Sequence, residues 1–194
     1  MRTRLRQASH SIHARMQLHP LLVGLMGPEC SVATYHAVLT VYAQLYEQLE
    51  AGIIDFLNSH TVPFDYSTRQ KLPQLRDDLI FLNQYPQIQS NRTVHPIKPL
   101  KIKSVGELIG VLYPIEGSTL GGQLISRHLK GSLDFSPDRG ARFFNGYGDK
   151  TTARWEEFCH FANSIQDNTE QCRAAESATL LTFSLFEDAL NDYH

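Results

Sequence analysis

Residues 113–129, YPIEGSTLGGQLISRHL, decide how this chain folds. Their apolar positions recur at helical spacing, yet Gly117, Gly121 and Gly122 fall within six residues of one another. A glycine in a helix interior costs about 1 kcal/mol relative to alanine, so the three together give up roughly 3 kcal/mol of local preference. A helix carries such residues where something must approach its backbone closely. In a chain of this kind that is either a second helix packed through a small-residue face or a flat ligand lying against the main chain. The four-residue spacing of Gly117 and Gly121 fits both.

Outward from this stretch, helices follow in both directions. Ser104 and Glu107 form a capping-box pattern that starts the glycine-bearing helix, Pro114 inside it predicts a kink, and Gly131 sits where a C-terminal cap would end it. At the N-terminus Leu5, Ser9, Ile12 and Met16 recur on one helical face, and the segment stops at His19 and Pro20. A short helix then runs to Gly27. With Ser31 as N-cap, a long core helix places Val38, Leu39, Tyr42, Leu45, Leu49, Ile53 and Phe56 on one face. Another helix is expected over residues 67–85, followed by a proline-rich loop over 86–103. Residues 134–148 read as a loop anchored by Phe143, Phe144 and Tyr147. Asp149 is placed to cap a helix through 153–165, and Asp167 with Glu170 to open the last one. No run alternates as a strand does and no repeat is detectable, so the expected fold is all-α, one domain over residues 1–194.

Composition narrows the function. With 194 residues, 42% of them hydrophobic, the chain fills one core. Eighteen Lys and Arg against 20 Asp and Glu leave a formal charge of −2, which provides no global basic field for nucleic acid. The basic start, MRTRLRQASHSIHARM, is not followed by an apolar signal core, and no segment approaches the roughly 20 apolar residues of a membrane span. The expectation is a cytoplasmic protein without a membrane anchor. Cys30, Cys159 and Cys172 are odd in number and far apart, which predicts free thiols.

Nine histidines are present; none forms an H-x-x-x-H pair, and the single E-x-x-H, Glu157 to His160, is not the pair of such motifs that a helical di-iron site uses. At about 100° per residue, His13 projects roughly 80° from Leu5, on the border of the first helix's apolar stripe, whereas His10 points to the polar side. Arg6, seven residues before His13, lies at nearly the same angle and about 10 Å along the axis. On spacing alone a histidine beside an apolar stripe is more often a packed residue than a ligand, and Arg6 more often a solvated charge. The residues by themselves stop at an all-α domain with one helix built for close approach.

The order LRQASHSIHARM, then YPIEGSTLGGQLISRHL about 100 residues on, then FFNGYGDKTTARWEEF, resembles the heme oxygenase family over nearly the whole chain. The EGSTLGGQ block is similar to the bacterial branch that makes biliverdin for bacteriophytochromes. The resemblance implies heme between the first helix and the kinked glycine helix, with His13 as proximal iron ligand. It implies that Gly117, Gly121 and Gly122 let the distal backbone approach the ring, and that Arg6 pairs with a propionate. The implied activity consumes O2 and reductant to open heme at a meso carbon, giving biliverdin, carbon monoxide and ferrous iron. An electron donor such as a ferredoxin or flavodoxin is implied, and a bacteriophytochrome as biliverdin acceptor. Ser118 stands where mammalian members carry a water-ordering aspartate, and it cannot supply that fixed charge. Glu156 and His160 fall where the mammalian pattern has a lysine and an arginine. Arg127, His128, Lys98, Lys101 and Lys103 offer basic charge for docking an acidic donor. A heme carrier or sensor of the same fold, without turnover, is the alternative. Thiaminase-like hydrolases and di-iron oxidases share the fold but need a nucleophilic cysteine or a carboxylate–histidine cluster.

Overall fold

A computed structural model describes residues 1–88 and 100–193. The described residues form α1 (Arg2–Gln17), α2 (Pro20–Met26), α3 (Val32–Ser59), α4 (Leu72–Leu82), α5 (Val105–Leu133), α6 (Arg142–Asn145), α7 (Thr151–Asn163) and α8 (Thr169–Asn191). No strand occurs among them; Ser136 makes only isolated bridges to Arg139 and Gly140.

The apolar stripe of α1 is the one its spacing predicts: Leu5, Ser9, Ile12 and Met16 are its buried residues. Its polar face bonds along α8 through Arg4–Glu176 and through Arg15–Glu187 at 2.5 Å. These pairs are largely exposed, so they orient the helices more than they stabilise them. Pro20 ends α1 and begins α2, where the His19 ring accepts from the Leu21 amide at 3.3 Å. Ser31 caps α3 by accepting from Thr34 N, and Ser104 caps α5 by accepting from Glu107 N, both at 3.1 Å.

The centre of the fold is α5 against α8. At Gly110 the two backbones are so close that an added Cβ would meet Ala175 O, Ala178 Cβ and Thr179 N, and Thr179 Oγ1 donates to Gly110 O at 3.1 Å. Small residues therefore set the interaxial distance here, and α3 and α1 close the remaining sides.

Four boundaries differ from expectation. The helix expected over 67–85 is only Leu72–Leu82: Pro73 sits in its first turn, and Arg69 and Lys71, just before it, are buried. α5 continues past Gly131 and ends where Asp134 takes the left-handed conformation at φ 56°. α7 has no side-chain cap from Asp149, which instead lies in a short 3-10 turn over Gly148–Lys150. α8 is capped by Asn168, which accepts from Gln171 N at 3.0 Å, one residue beyond the expected Asp167. α5 runs as one helix through Pro114.

Candidate functional site

A cavity of about 310 Å³ opens between α1 and α5. Its walls are Met16 from α1, Leu22 and Met26 from α2, and Phe183 and Phe186 from α8. Tyr42 and Tyr46 of α3 and Phe143 and Phe144 of α6 close the far end. Those aromatics lock one another edge to face: Tyr42 meets Phe186 with ring centroids 5.4 Å apart, and Tyr46 meets Phe143 at 5.6 Å. A rigid, mostly apolar slot results.

His13 stands at its mouth. Its ring packs edge-on against Phe183 at 5.7 Å, while the residue keeps an exposed face to the cavity. Partial burial, and secondarily His10, lower its pKa, so the imidazole is neutral and a competent metal ligand at neutral pH. Gly121 of α5 lines the same cavity, and a Cβ added there would meet nothing within 4 Å.

The three glycines do not share one job. Only Gly121 opens onto free space. Gly122 also borders the cavity, but a Cβ there would come within 2.8 Å of the Phe144 carbonyl oxygen. Its missing side chain admits the α6 backbone. A Cβ added at Gly117 would stand 3.6 and 3.7 Å from the nearest carbons of the Trp155 ring, and Gly117 is not part of the cavity wall. Contact with protein thus accounts for Gly117 and Gly122, and Gly121 is the one of the three that leaves open space on the cavity.

Ser118 faces the cavity and donates to the Ile115 carbonyl at 2.9 Å. Burial pushes the pKa of the Tyr46 phenol, on the same cavity wall, strongly upward, and the Ser118 hydroxyl partly opposes that push. Behind it lies a polar cluster that spacing did not reveal. Glu116 is fully buried and is bonded by Arg69 Nη1 at 2.9 Å and by the Tyr147 hydroxyl at 2.9 and 3.0 Å. Arg69 also bonds Glu157 at 2.6 Å. Glu50 accepts from the Lys71 amide at 2.5 Å and from Tyr66 at 3.0 Å. Desolvation raises the pKa of both glutamates despite these donors. One signal was present in the sequence: Glu116 continues the Leu108, Leu112 register, a carboxylate on an apolar stripe.

Arg6 is exposed on α1 and lines neither this cavity nor its neighbour; its charge acts on the half-buried hydroxyl of Tyr113. The neighbour, about 490 Å³, is bordered by Arg2, Trp155, Glu156 and His160, with the Arg2 guanidinium 5.9 Å from the Trp155 ring centroid. Glu156 and His160 therefore do sit together at a cavity edge.

The basic residues do not form one patch. Lys103 precedes α5 and Arg127 nears its end, 24 residues on by number and about 36 Å along the axis. His128 is turned to the Gly27 carbonyl at 3.2 Å. Lys101 and Lys103 are exposed; Lys98 lies outside the described residues.

No cysteine or carboxylate lines the main cavity, and among the described residues no group of three His, Cys, Asp or Glu could hold a metal ion. All three cysteines are free thiols. A lone imidazole suits a metal whose other ligands arrive with it.

The model of the heme oxygenase family matches residues 1–192. A curated heme oxygenase of Xanthomonas campestris pv. campestris (strain 8004) is 34% identical over 97 residues, 50% of this chain, and the matched stretch spans only 53% of that relative. The NO- and CO-bound heme oxygenase of Neisseria meningitidis superposes with a TM-score of 0.77 at 21% identity, covering 98% of this chain and 90% of that one. Heme oxygenase from Leptospira interrogans gives 0.76 at 16% identity, covering 97% of each chain. Heme oxygenase-1 from the cyanobacterium Synechocystis sp. PCC6803, solved in complex with heme, gives 0.68 at 14%, covering 97% of this chain and 90% of that one. At these identities the structures speak for the fold.

Proposed function

This chain belongs to the heme oxygenase family, and we propose that it binds heme in the α1–α5 cavity and cleaves it oxidatively at a meso carbon to biliverdin, carbon monoxide and ferrous iron. The observation that supports this most directly is that His13 and Gly121 line one cavity from different helices. The residues fit the ligand: a porphyrin brings four nitrogens of its own, so one neutral imidazole completes what the protein must supply. Its flat apolar faces match Met16, Phe183 and Phe186. When bound, heme supplies both the iron that activates O2 and the ring that is opened.

The chain's own residues do the rest. His13 holds the iron from α1. Gly121 leaves room for O2 and close backbone contact on the α5 side. Gly122 and Gly117 serve the same site indirectly, by seating Phe144 and Trp155 against α5. Phe143 and Phe144 keep bulk water out, and Ser118 with Tyr46 offers hydroxyls to a bound water where a fixed negative charge is missing. Arg6, beside Tyr113, meets a propionate at the open edge.

The electrons come from an external donor, a ferredoxin or flavodoxin whose acidic face meets exposed basic residues such as Lys101 and Lys103. A bacteriophytochrome is the biliverdin acceptor, a reading supported by the EGSTLGGQ block. Three unpaired thiols favour a reducing, cytoplasmic setting. No described helix is long and apolar enough to cross a membrane.

His13→Ala tests the assignment. Hemin still enters by apolar burial, so the readout is the iron: EPR or resonance Raman should lose the axial nitrogen of the wild type. The same nitrogen in both proteins would transfer the role to His10.

A further inference from the structure

Lys71 is buried to 1% exposure, yet it lines the same cavity as Ser118 and Tyr46. A lysine in that position is rare unless it is paired. Among the described residues it has no ion-pair partner within 4.0 Å: Glu116 is taken by Arg69 and Tyr147, and Glu50 by Tyr66 and the Lys71 and Leu72 amides. Its ammonium makes two contacts, donating to the Arg69 carbonyl at 2.8 Å and standing 3.6 Å from the Tyr147 ring centroid. An ammonium has three N–H donors. With one hydrogen bond and one ring contact the ammonium keeps donor capacity, and Lys71 lines the cavity.

We propose that Lys71 is the positioning cation of this pocket: together with the Tyr46 and Ser118 hydroxyls it orients the oxygen ligand, and the water beside it, on the α5 side of the heme. The inference rests on the heme reading above and deepens it by naming a charged group in the cavity that Ser118, the replacement for the mammalian aspartate, also borders. The sign is opposite. A carboxylate orders water by accepting, whereas Lys71 donates and favours whichever ligand carries more negative charge.

Its environment keeps this charge adjustable. Burial lowers the Lys71 pKa to about 8, against the opposing pull of Glu116 on α5 and Glu50 on α3, with Arg69 in its own turn and Arg154 on α7 adding repulsion. A protonated Lys71 is thus the main form at neutral pH, and it is lost a little above it.

The test uses the hemin-loaded protein. Lys71→Met should weaken azide binding to the ferric iron about tenfold and raise its water-to-hydroxide midpoint by about one pH unit, while Soret stoichiometry and the axial nitrogen stay as in wild type. Lys71→Arg, which keeps the charge, should restore both values. Should Lys71→Met not fold, the wild-type ferrous–CO complex carries the test: its CO stretching frequency should step as pH passes through the region of about 8. A folded, heme-loaded Lys71→Met with unchanged azide affinity and midpoint overturns the proposal, as does a flat CO stretch from pH 7 to 10. Wild type that takes up no hemin with a nitrogen ligand overturns the heme reading itself, and this inference with it.

Discussion

The carboxylate of Asp78 on α4 receives the backbone N–H of Phe143 at 2.8 Å, and that of Arg142 at 2.9 Å, across more than 60 residues of chain. It caps α6 from outside, since the four-residue helix has no cap of its own. Phe143 and Phe144, which close the cavity, owe their position to this contact. Asp78→Ala leaves the buried Phe143 amide and the part-buried Arg142 amide unsatisfied and should cost about 2–4 kcal/mol in urea unfolding. Asp78→Asn, which keeps an acceptor, should cost less. Equal stability of Asp78→Ala and wild type would show that packing alone holds α6.

Gly121 and Gly122, adjacent in sequence, should respond oppositely to alanine. Gly121→Ala meets free space and gains helix propensity, so the ligand-free protein should be unchanged or stabilised by up to about 1 kcal/mol. Its biliverdin yield should fall. Gly122→Ala presses on the Phe144 carbonyl and should destabilise the ligand-free protein by about 1–3 kcal/mol. Thermal unfolding without heme distinguishes them; matching shifts would contradict the division of labour drawn here.

Arg69 and Glu116 are 3% and 0% exposed at their side chains and are joined at 2.9 Å. Arg69→Met strands a carboxylate in the interior and should cost about 3–5 kcal/mol. Adding Glu116→Leu to the same protein should recover much of that loss. A single variant as stable as wild type in denaturant titration would mean that water already reaches Glu116.

Lys71 also sets a pH dependence of stability. Its pKa is about 8 when folded and 10.5 in the unfolded chain, so between these values the unfolded state binds more protons. Stability therefore rises with pH across that window, by at most about 3 kcal/mol, and the Lys71 contribution is flat below it. The buried tyrosines act the other way above pH 10, because their pKa values are raised on folding. Melting temperatures of ligand-free wild type from pH 7.5 to 9.5 should climb relative to Lys71→Met. Parallel curves would place Lys71 in contact with solvent.

How much of this was legible differs by element. The α1 stripe, the Ser31 and Ser104 caps and the interruption at His19–Pro20 were readable because each is a local signal of spacing or turn chemistry. The end of α5 and the caps of α7 and α8 were missed, since several residues within a turn have similar capping chemistry and tertiary contacts choose among them. The glycines announced a close approach without saying to what. That answer needs the neighbours: α8 at Gly110, Trp155 at Gly117, open space at Gly121 and the Phe144 carbonyl at Gly122. Asp78, Arg69 and Lys71 could not be picked out, because a charged residue is ordinarily solvated and only the packed chain shows these to be interior.

The most direct measurement of the central claim is to load the protein with hemin, add a reductant under air and follow the absorption spectrum with gas analysis. The account predicts that the Soret band decays into biliverdin absorption with carbon monoxide released, and that His13→Ala does neither. A Soret band that persists through reduction and reoxidation, with no biliverdin and no carbon monoxide, would contradict it and leave a protein that holds heme without turning it over.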